Sequence, residues 1–264
     1  MPDASDSPVL LDVADGVARL TLNRPDAANA IDVASARALQ AATTRLTETD
    51  GLRVVLLTGA GDRFCGGGDV RAFASSPDLG ATLEEVLSHL HPAVAGLAAL
   101  DAPVVAAVQG SAAGAGLALV AGADLVLAGA SAKFVMAYTG IGLVPDGGST
   151  WYLPRVVGAR RALELALTNW VLSAEEAREW GLVTRVVPDD ELPEKTDAFV
   201  AQLAGGPTHA YAATKRLLRD SSTTDLETQL AREAAAMVAA GRTADGIEGT
   251  TAFVEKRRPT FTGE

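Results

Sequence analysis

The run from Pro103 to Gly129, PVVAAVQGSAAGAGLALVAGADLVLAG, constrains the fold more than any other part of the chain. Val104 to Val108 is an apolar run of the length that a buried strand needs. Gln109 and Gly110 break it, and Gly114-Ala115-Gly116 leads into a segment of small and aliphatic residues through Ala121. Leu125 to Leu127 follows as another apolar run. A helix so free of charge has no solvent face and should be buried on all sides. Its N-terminus, approached through a glycine-rich turn, presents unpaired backbone N–H groups and the positive end of a helix dipole. Such an end suits a phosphate, a carboxylate or an oxyanion. The same residues also suit a tight strand-to-helix turn that serves packing alone.

The 264 residues allow one large α/β domain, or one domain with an appendage. With 48% hydrophobic residues but only 5% aromatic, the core must be mainly aliphatic. A formal net charge of −11 argues against nucleic acid or an anionic membrane as partner. It leaves room for an anionic small molecule held by a few local cations. The single cysteine, Cys65, forms no internal disulfide, which fits a reducing cytoplasm. Met1 to Pro8 is polar and acidic, without the basic and apolar regions of a signal peptide, and no apolar run approaches membrane-spanning length. The expectation is a cytoplasmic protein.

Met1 to Ser7 reads as a disordered tail. Val9–Val13 and Val17–Leu22, separated by Asp15-Gly16, read as a hairpin, and Asn23-Arg24-Pro25-Asp26 as a turn. Asp32 suits the N-cap of a helix to about Thr49, with Ala38, Leu39, Ala42 and Leu46 on its apolar stripe. Val54–Leu57 is a short strand, and Thr58 to Asp69 a glycine-rich loop. Thr82–Leu100 is helical, with Pro92 marking a kink or a join. Lys133–Met136 is a strand, Gly147–Val156, Ala159–Thr168 and Ala174–Trp180 are helices, and Val183–Val187 is a strand closed by Pro188. After Glu191 four helical stretches follow without a strand, near Leu192–Leu203, Thr208–Ser221, Asp225–Ala240 and Ala244–Glu255. This order predicts a spiral α/β core over residues 1–190 and a helical layer over 191–264.

Several constellations are absent. Phe64 and Leu119 stand where the third glycine of a dinucleotide fingerprint belongs, and no Walker-type phosphate loop occurs. Ser149 lies in GGSTW, which is not a nucleophile elbow. His89 and His91, two apart on a helix, point to different sides and form no metal pair; no metal site is expected. His91 reads as a packed or surface residue before it reads as a base.

Two candidates remain. Arg63 to Asp69, RFCGGGD, places three glycines before a short helix that Asp69 can cap, so backbone N–H groups there can face a ligand. Gly142 to Thr150, GLVPDGGST, contains Asp146 in one of the strongest turn signals, which makes a turn residue or helix cap the plain reading. Its apolar company, with Ile141, Leu143, Val144 and Pro145 before it and Trp151 after it, instead suits a partly desolvated carboxylate acting as a base.

Taken in order, these pieces resemble the crotonase (enoyl-CoA hydratase/isomerase) superfamily. The resemblance runs through Asn23-Arg24-Pro25 with Asn29-Ala30, Phe64 to Asp69, Val108 to Gly116, Ala123-Asp124, Gly142 to Gly148, Leu153 to Gly158, Ala177 to Val183, and Phe253 to Arg257 with Phe261. It implies a ClpP-like spiral of ββα repeats, a homotrimer or homohexamer, and an acyl-CoA substrate, with coenzyme A as part of the substrate and no separate cofactor. It implies a thioester oxygen gripped by the N–H groups of Gly68 and Ala115, where fixed donors stabilise an enolate without reorganisation. It also implies CoA contacts from Ala28, Gly66, Asp69, Val70, Phe253 and Lys256, the last reaching from a neighbouring subunit.

Hydratases of this superfamily use two glutamates, whose positions fall here on Ala118 and Tyr138. An acid appears instead at Asp146, as in members that shift double bonds, most nearly the ring-epoxide/oxepin-CoA isomerase branch of phenylacetate breakdown. The implied function is an enoyl-CoA isomerase with Asp146 as proton shuttle. A weak hydratase, a dehalogenase-like enzyme and a CoA-binding protein without turnover are the alternatives. His91, Tyr138 and Ala118 are the implied acyl-pocket residues, His91 and Tyr138 lying where dehalogenases carry a companion histidine and tryptophan.

Overall fold

The computed structural model describes residues 7–263. Apart from Ser7, the expected polar tail lies outside the described residues. Strands β1 (Val9–Ala14) and β2 (Val17–Leu22) form the antiparallel hairpin, and helix α1 (Val33–Thr47) follows. Asp32 accepts from the Ser35 N–H at 2.7 Å, a cap of the kind that contributes about 1 kcal/mol. Leu39, Ala42 and Leu46 of α1 are buried as the 3.6-residue spacing requires.

Strand β3 (Val54–Gly59) leads through the glycine loop to a short helix α2 (Val70–Ala74) and a long helix α3 (Leu79–Ala99). Helix α3 begins earlier than the sequence pattern suggested, because Asp78 caps the Ala81 N–H. It also runs unbroken through Pro92. Strand β4 (Val104–Val108), strand β5 (Ser111–Ala113), helix α4 (Ala115–Gly122) and strand β6 (Leu125–Gly129) make up the charge-poor stretch. Every residue of β4 and residues 115–121 of α4 are buried, as a helix without a polar face demands.

Strand β7 (Lys133–Val135), helices α5 (Ser149–Val156) and α6 (Ala159–Thr168), strand β8 (Leu172–Ser173), helix α7 (Ala174–Glu179) and strand β9 (Arg185–Val187) complete the spiral. Helices α8 (Leu192–Ala204), α9 (Thr208–Ser221), α10 (Leu226–Ala240) and α11 (Ala244–Glu255) form the C-terminal layer.

Two sheets result. The larger has the order β1-β2-β3-β4-β6-β9, parallel except for the hairpin, and the smaller has the order β5-β7-β8. One face of the larger sheet packs on α1, α3 and α4. The other buries Val54, Leu56, Val105, Ala107 and Leu127 under Leu192, Phe199, Val200 and Leu203. Helix α8 is therefore part of the sheet packing, although it lies beyond the expected boundary at Glu191. Isolated parallel bridges, Ile31 with Gly68 and Cys65 with Ala112, extend the smaller sheet into the glycine loop. That extension sets the geometry of the site.

Candidate active site

The Asn23-Arg24-Pro25 turn and the residues after it act as a mould for the glycine loop. Buried Asn29 donates through Nδ2 to the carbonyls of Ala60 and Arg63, and its Oδ1 accepts from the Arg24 N–H. Arg24 bridges the carboxylates of Asp32 and Asp69, each at 3.0 Å. The Gly66 N–H donates to the Ala28 carbonyl at 2.8 Å, the Ile31 N–H to the Gly67 carbonyl at 2.7 Å, and the Asp69 N–H to the Ile31 carbonyl at 2.9 Å. These bonds bypass one donor. The Gly68 N–H has no acceptor among the described residues.

The other wall comes from the turn between β5 and α4. Cys65 exchanges hydrogen bonds with Ser111 and Ala113, and the Gly114 N–H donates to the Val135 carbonyl at 3.0 Å. Ala115 opens α4, so its N–H lies beyond reach of an intrahelical acceptor and finds none elsewhere among the described residues. Gly67 and Gly114 both have positive φ, 99° and 50°, and both need the space that a side chain would take. A Cβ on Gly67 would stand 3.1 Å from the Ala113 carbonyl oxygen. Two loops pressed backbone to backbone thus present two unpaired donors to one cavity.

That cavity has a volume of about 290 Å³. Gly66–Gly68, Gly114 and Ala115 line it at one end, with Ile31, Val70 and Phe73, and α3 supplies Leu83, Val86, Leu87 and Leu90. Tyr138, Ile141, Leu143, Val144 and Asp146 complete the lining. Asp146 and Tyr138 are its titratable groups among the described residues.

The Asp146 carboxylate caps no helix. Its backbone carbonyl closes the turn by accepting from the Ser149 N–H and Oγ, at 3.0 and 2.7 Å, while α5 has Gly148 at its N-cap and no side-chain cap. The turn accounts for the backbone of Asp146 and leaves its side chain, 20% exposed, to the cavity. His91 Nε2 lies 3.6 Å from Asp146 Oδ2. The Tyr138 hydroxyl is buried and without a partner in hydrogen-bonding geometry among the described residues. Burial, reinforced by the negative charge of nearby Asp146, raises the ionisation of Tyr138 well above the ordinary phenol range, so it stays protonated. Burial likewise pushes the Cys65 thiol up to about 12, which makes it an inert part of the loop. For Asp69 burial also raises the pKa, yet hydrogen bonds from the Ala72 N–H and Arg24 together outweigh it and hold the carboxyl below its ordinary range.

The implied site residues separate into groups. Gly66, Gly68, Val70, Ala115, Tyr138 and Asp146 share the cavity. His91 does not line it. It faces a second cavity with Val94, Gly147, Gly148, Trp151 and Arg219 and touches Asp146 from that side. Ala118 is also outside the lining; it is buried, facing Gly147, where an added Cβ would meet its own Cβ at 3.0 Å. Asp69 spends its side chain on Ala72 and Arg24. The Ala28 carbonyl receives the Gly66 N–H. Phe253 and Lys256 end α11 on an exposed surface, away from the cavity lining. Trp151, expected beside Asp146, faces the second cavity instead. No group of three or more metal-ligating side chains occurs among the described residues, and no described helix is long and apolar enough to cross a membrane.

Comparison with known proteins gives the family of the chain that carries this cavity. A profile of the enoyl-CoA hydratase/isomerase family covers residues 12–264. The chain belongs to that family. A 1,2-epoxyphenylacetyl-CoA isomerase of Escherichia coli strain K12 is 43% identical over 97% of this chain and 98% of its own. A protein of Rhodobacter capsulatus named "Probable enoyl-CoA hydratase" is 42% identical over 96% of both chains. The crystal structure of an enoyl-CoA hydratase from Bacillus anthracis superposes with a TM-score of 0.90 at 34% identity, covering 97% of this chain and 100% of that one. The fold of this enoyl-CoA hydratase/isomerase family member is thus the crotonase spiral, and its chemistry is that of an acyl-CoA enzyme.

Proposed function

We propose that the protein is a CoA-thioester isomerase in which Asp146 moves a proton along an unsaturated acyl chain. The carboxylate takes a proton from the α-carbon of a β,γ-enoyl thioester. The C–H electron pair delocalises onto the thioester oxygen, and the N–H groups of Gly68 and Ala115 hold the resulting enolate. The same proton then returns to the γ-carbon, leaving the α,β isomer. One carboxylate suffices because the proton leaves and returns on one face, whereas hydration needs a second group to manage water. Fixed donors in a site that excludes water stabilise the developing charge without reorganising.

The observation that carries this reading is a shared cavity: the Asp146 carboxylate, which caps no helix, lines it together with two unpaired N–H groups. Buried Ala118 and protonated Tyr138 stand at the two hydratase positions, and neither can serve as a base. The chemistry needs no cofactor beyond the CoA that the substrate carries, and the enzyme works in the cytoplasm as a trimer or a dimer of trimers. Ala28 and Gly66–Val70 hold the CoA moiety, with Phe253 and Lys256 reaching it from a neighbouring subunit.

The test is a comparison of two substrates on the wild-type protein. A β,γ-enoyl-CoA should be converted to its α,β isomer, while crotonyl-CoA should be hydrated slowly or not at all. Vigorous hydration without isomerisation overturns the reading. The His91–Asp146 contact favours one second reading, in which Asp146 attacks an aromatic acyl-CoA as a nucleophile and expels halide. Halide release from 4-chlorobenzoyl-CoA separates the two.

A further inference from the structure

Asp146 stands between two cavities. Its side chain lines the first, together with the unpaired N–H groups. The second, of about 430 Å³, begins at Gly147 and Gly148, the next two residues, and is lined further by Trp151, Tyr152 and Arg219. Helix α3 forms part of both walls: Leu83, Val86, Leu87 and Leu90 face the first, and His91, Val94 and Ala95 the second. His91 crosses that divide. It lines the second cavity, its side chain is 53% exposed, and its Nε2 approaches Asp146 Oδ2 to 3.6 Å.

An acyl chain that fills the first cavity shuts water off from Asp146 on that side. Tyr138, the other titratable group there, keeps its proton because burial and the neighbouring carboxylate both disfavour the phenolate. His91 is the titratable side chain among the described residues that touches Asp146 and also opens to another space. Arg219 shares that space, but a guanidinium offers donors and no acceptor and so is no relay. An imidazole accepts a proton on one ring nitrogen and releases one from the other.

We propose that His91 is the proton vent of the reaction, acting through Asp146 and not on the substrate. After Asp146 has taken the α-proton, the carboxylic acid passes it to His91 Nε2, across a small closure of the 3.6 Å gap or through one bridging water. The imidazolium releases a proton from Nδ1 to water in the second cavity. The reverse steps bring a solvent proton to Asp146, which delivers it to the γ-carbon. Each proton vented in this way is matched by one supplied from solvent, and no redox step occurs. The product of isomerisation therefore carries solvent hydrogen in competition with direct return. This inference rests on the isomerase reading.

The test runs isomerisation of a β,γ-enoyl-CoA in D₂O with wild type, His91→Phe and His91→Gln, and measures deuterium per product molecule by mass spectrometry. That readout counts label per product molecule, so a smaller yield of active enzyme does not move it. Wild-type product is expected to carry solvent deuterium at the γ-carbon. In both variants that content should fall severalfold, because neither side chain relays protons. Equal deuterium content in wild type and variants, with isomerisation intact, overturns the vent alone. Complete loss of turnover in both folded variants also overturns it, by placing His91 in the chemistry itself. Absence of isomerisation in wild type overturns the isomerase reading, and the vent falls with it.

Discussion

Gly67 and Gly114 meet Cα to backbone across the floor of the cavity: a Cβ on Gly114 would stand 3.4 Å from the Gly67 Cα. The contact locks the loop that carries the Gly68 N–H to the turn that carries the Ala115 N–H. Gly114 has φ 50° and ψ −118°, a conformation that disfavours any side chain. Gly114→Ala should therefore cost about 1–3 kcal/mol of stability from backbone strain. It should also pry the two donors apart, so kcat should fall further than the stability loss explains. A variant with wild-type thermal midpoint and wild-type kcat would show that the approach is incidental.

The donor on α4 can be removed with less disturbance than the donor on the loop. A side chain at Gly68 would come within 2.6 Å of the Phe73 ring, so a proline there confounds donor loss with a clash. Ala115 is the first residue of α4, where proline fits the helix and its missing N–H breaks no helical bond. Ala115→Pro should lower kcat by about 10²–10³, the usual effect of losing one oxyanion donor. Binding of a CoA thioester should change little. An unchanged kcat in a variant with an intact circular dichroism spectrum would take Ala115 out of the mechanism.

Much of this fold is legible in the sequence because it is built from local rules. Helices Ala159–Thr168, Thr208–Ser221 and Ala244–Glu255 match their apolar spacing, and Asp32 and Asp69 cap the helices they precede. Strands Ser111–Ala113 and Leu172–Ser173 leave no signal in the sequence, because so few residues carry no period and their pairing with Lys133–Val135 is long-range. Helix α3 starts before its apolar spacing becomes regular because the Asp78 side chain caps the Ala81 N–H. The carboxylate of Asp146 and the ring of His91 sit far apart in sequence, and only the packing of α3 beside the Gly147 turn brings them together. Tyr138 could be read as a missing glutamate, but not as a buried hydroxyl beside Asp146, since burial depends on the whole fold. Sequence proximity puts Trp151 beside Asp146, but as an early residue of α5 it lines the second cavity.

The end of the chain should respond to acid. Glu248 receives two hydrogen bonds from Arg257, at 2.6 and 2.7 Å, and one from the Thr260 N–H at 2.8 Å. Together they lower its pKa to about 2. A carboxylate whose folded pKa is depressed stabilises the fold above its unfolded value, ordinarily about 4.3, and loses that contribution as pH falls toward the folded value. The thermal midpoint of wild type should therefore exceed that of Glu248→Gln at neutral pH, and the gap should narrow from about pH 4 down toward 2. A gap that does not change with pH would assign the difference to packing. Arg257 follows Lys256 directly, so this clamp also fixes the presentation of the proposed CoA-phosphate ligand.

Association should follow from the C-terminal layer, where Leu218, Leu226, Leu230, Met237, Val238, Ile247, Phe253 and Val254 are all exposed apolar residues. So much apolar surface calls for a partner. Light scattering at micromolar concentration should give three or six times the 27.0 kDa protomer mass. A monomeric mass contradicts the proposed assembly. Lys256→Glu should weaken acetyl-CoA binding, and the deficit should shrink at high salt as screening removes the lost attraction.

The most direct test of the account concerns Asp146 alone. Asp146→Asn keeps the shape and the turn, since the Ser149 bonds go to the backbone carbonyl, and removes only the base. Rates of β,γ- to α,β-enoyl-CoA conversion and affinities for a saturated acyl-CoA should be measured on wild type and variant together. The expected result is near-complete loss of isomerisation with affinity within a few-fold of wild type, the pattern of a group that acts in the transition state. Isomerisation undiminished in the folded variant would contradict the account and leave Asp146 as a turn residue.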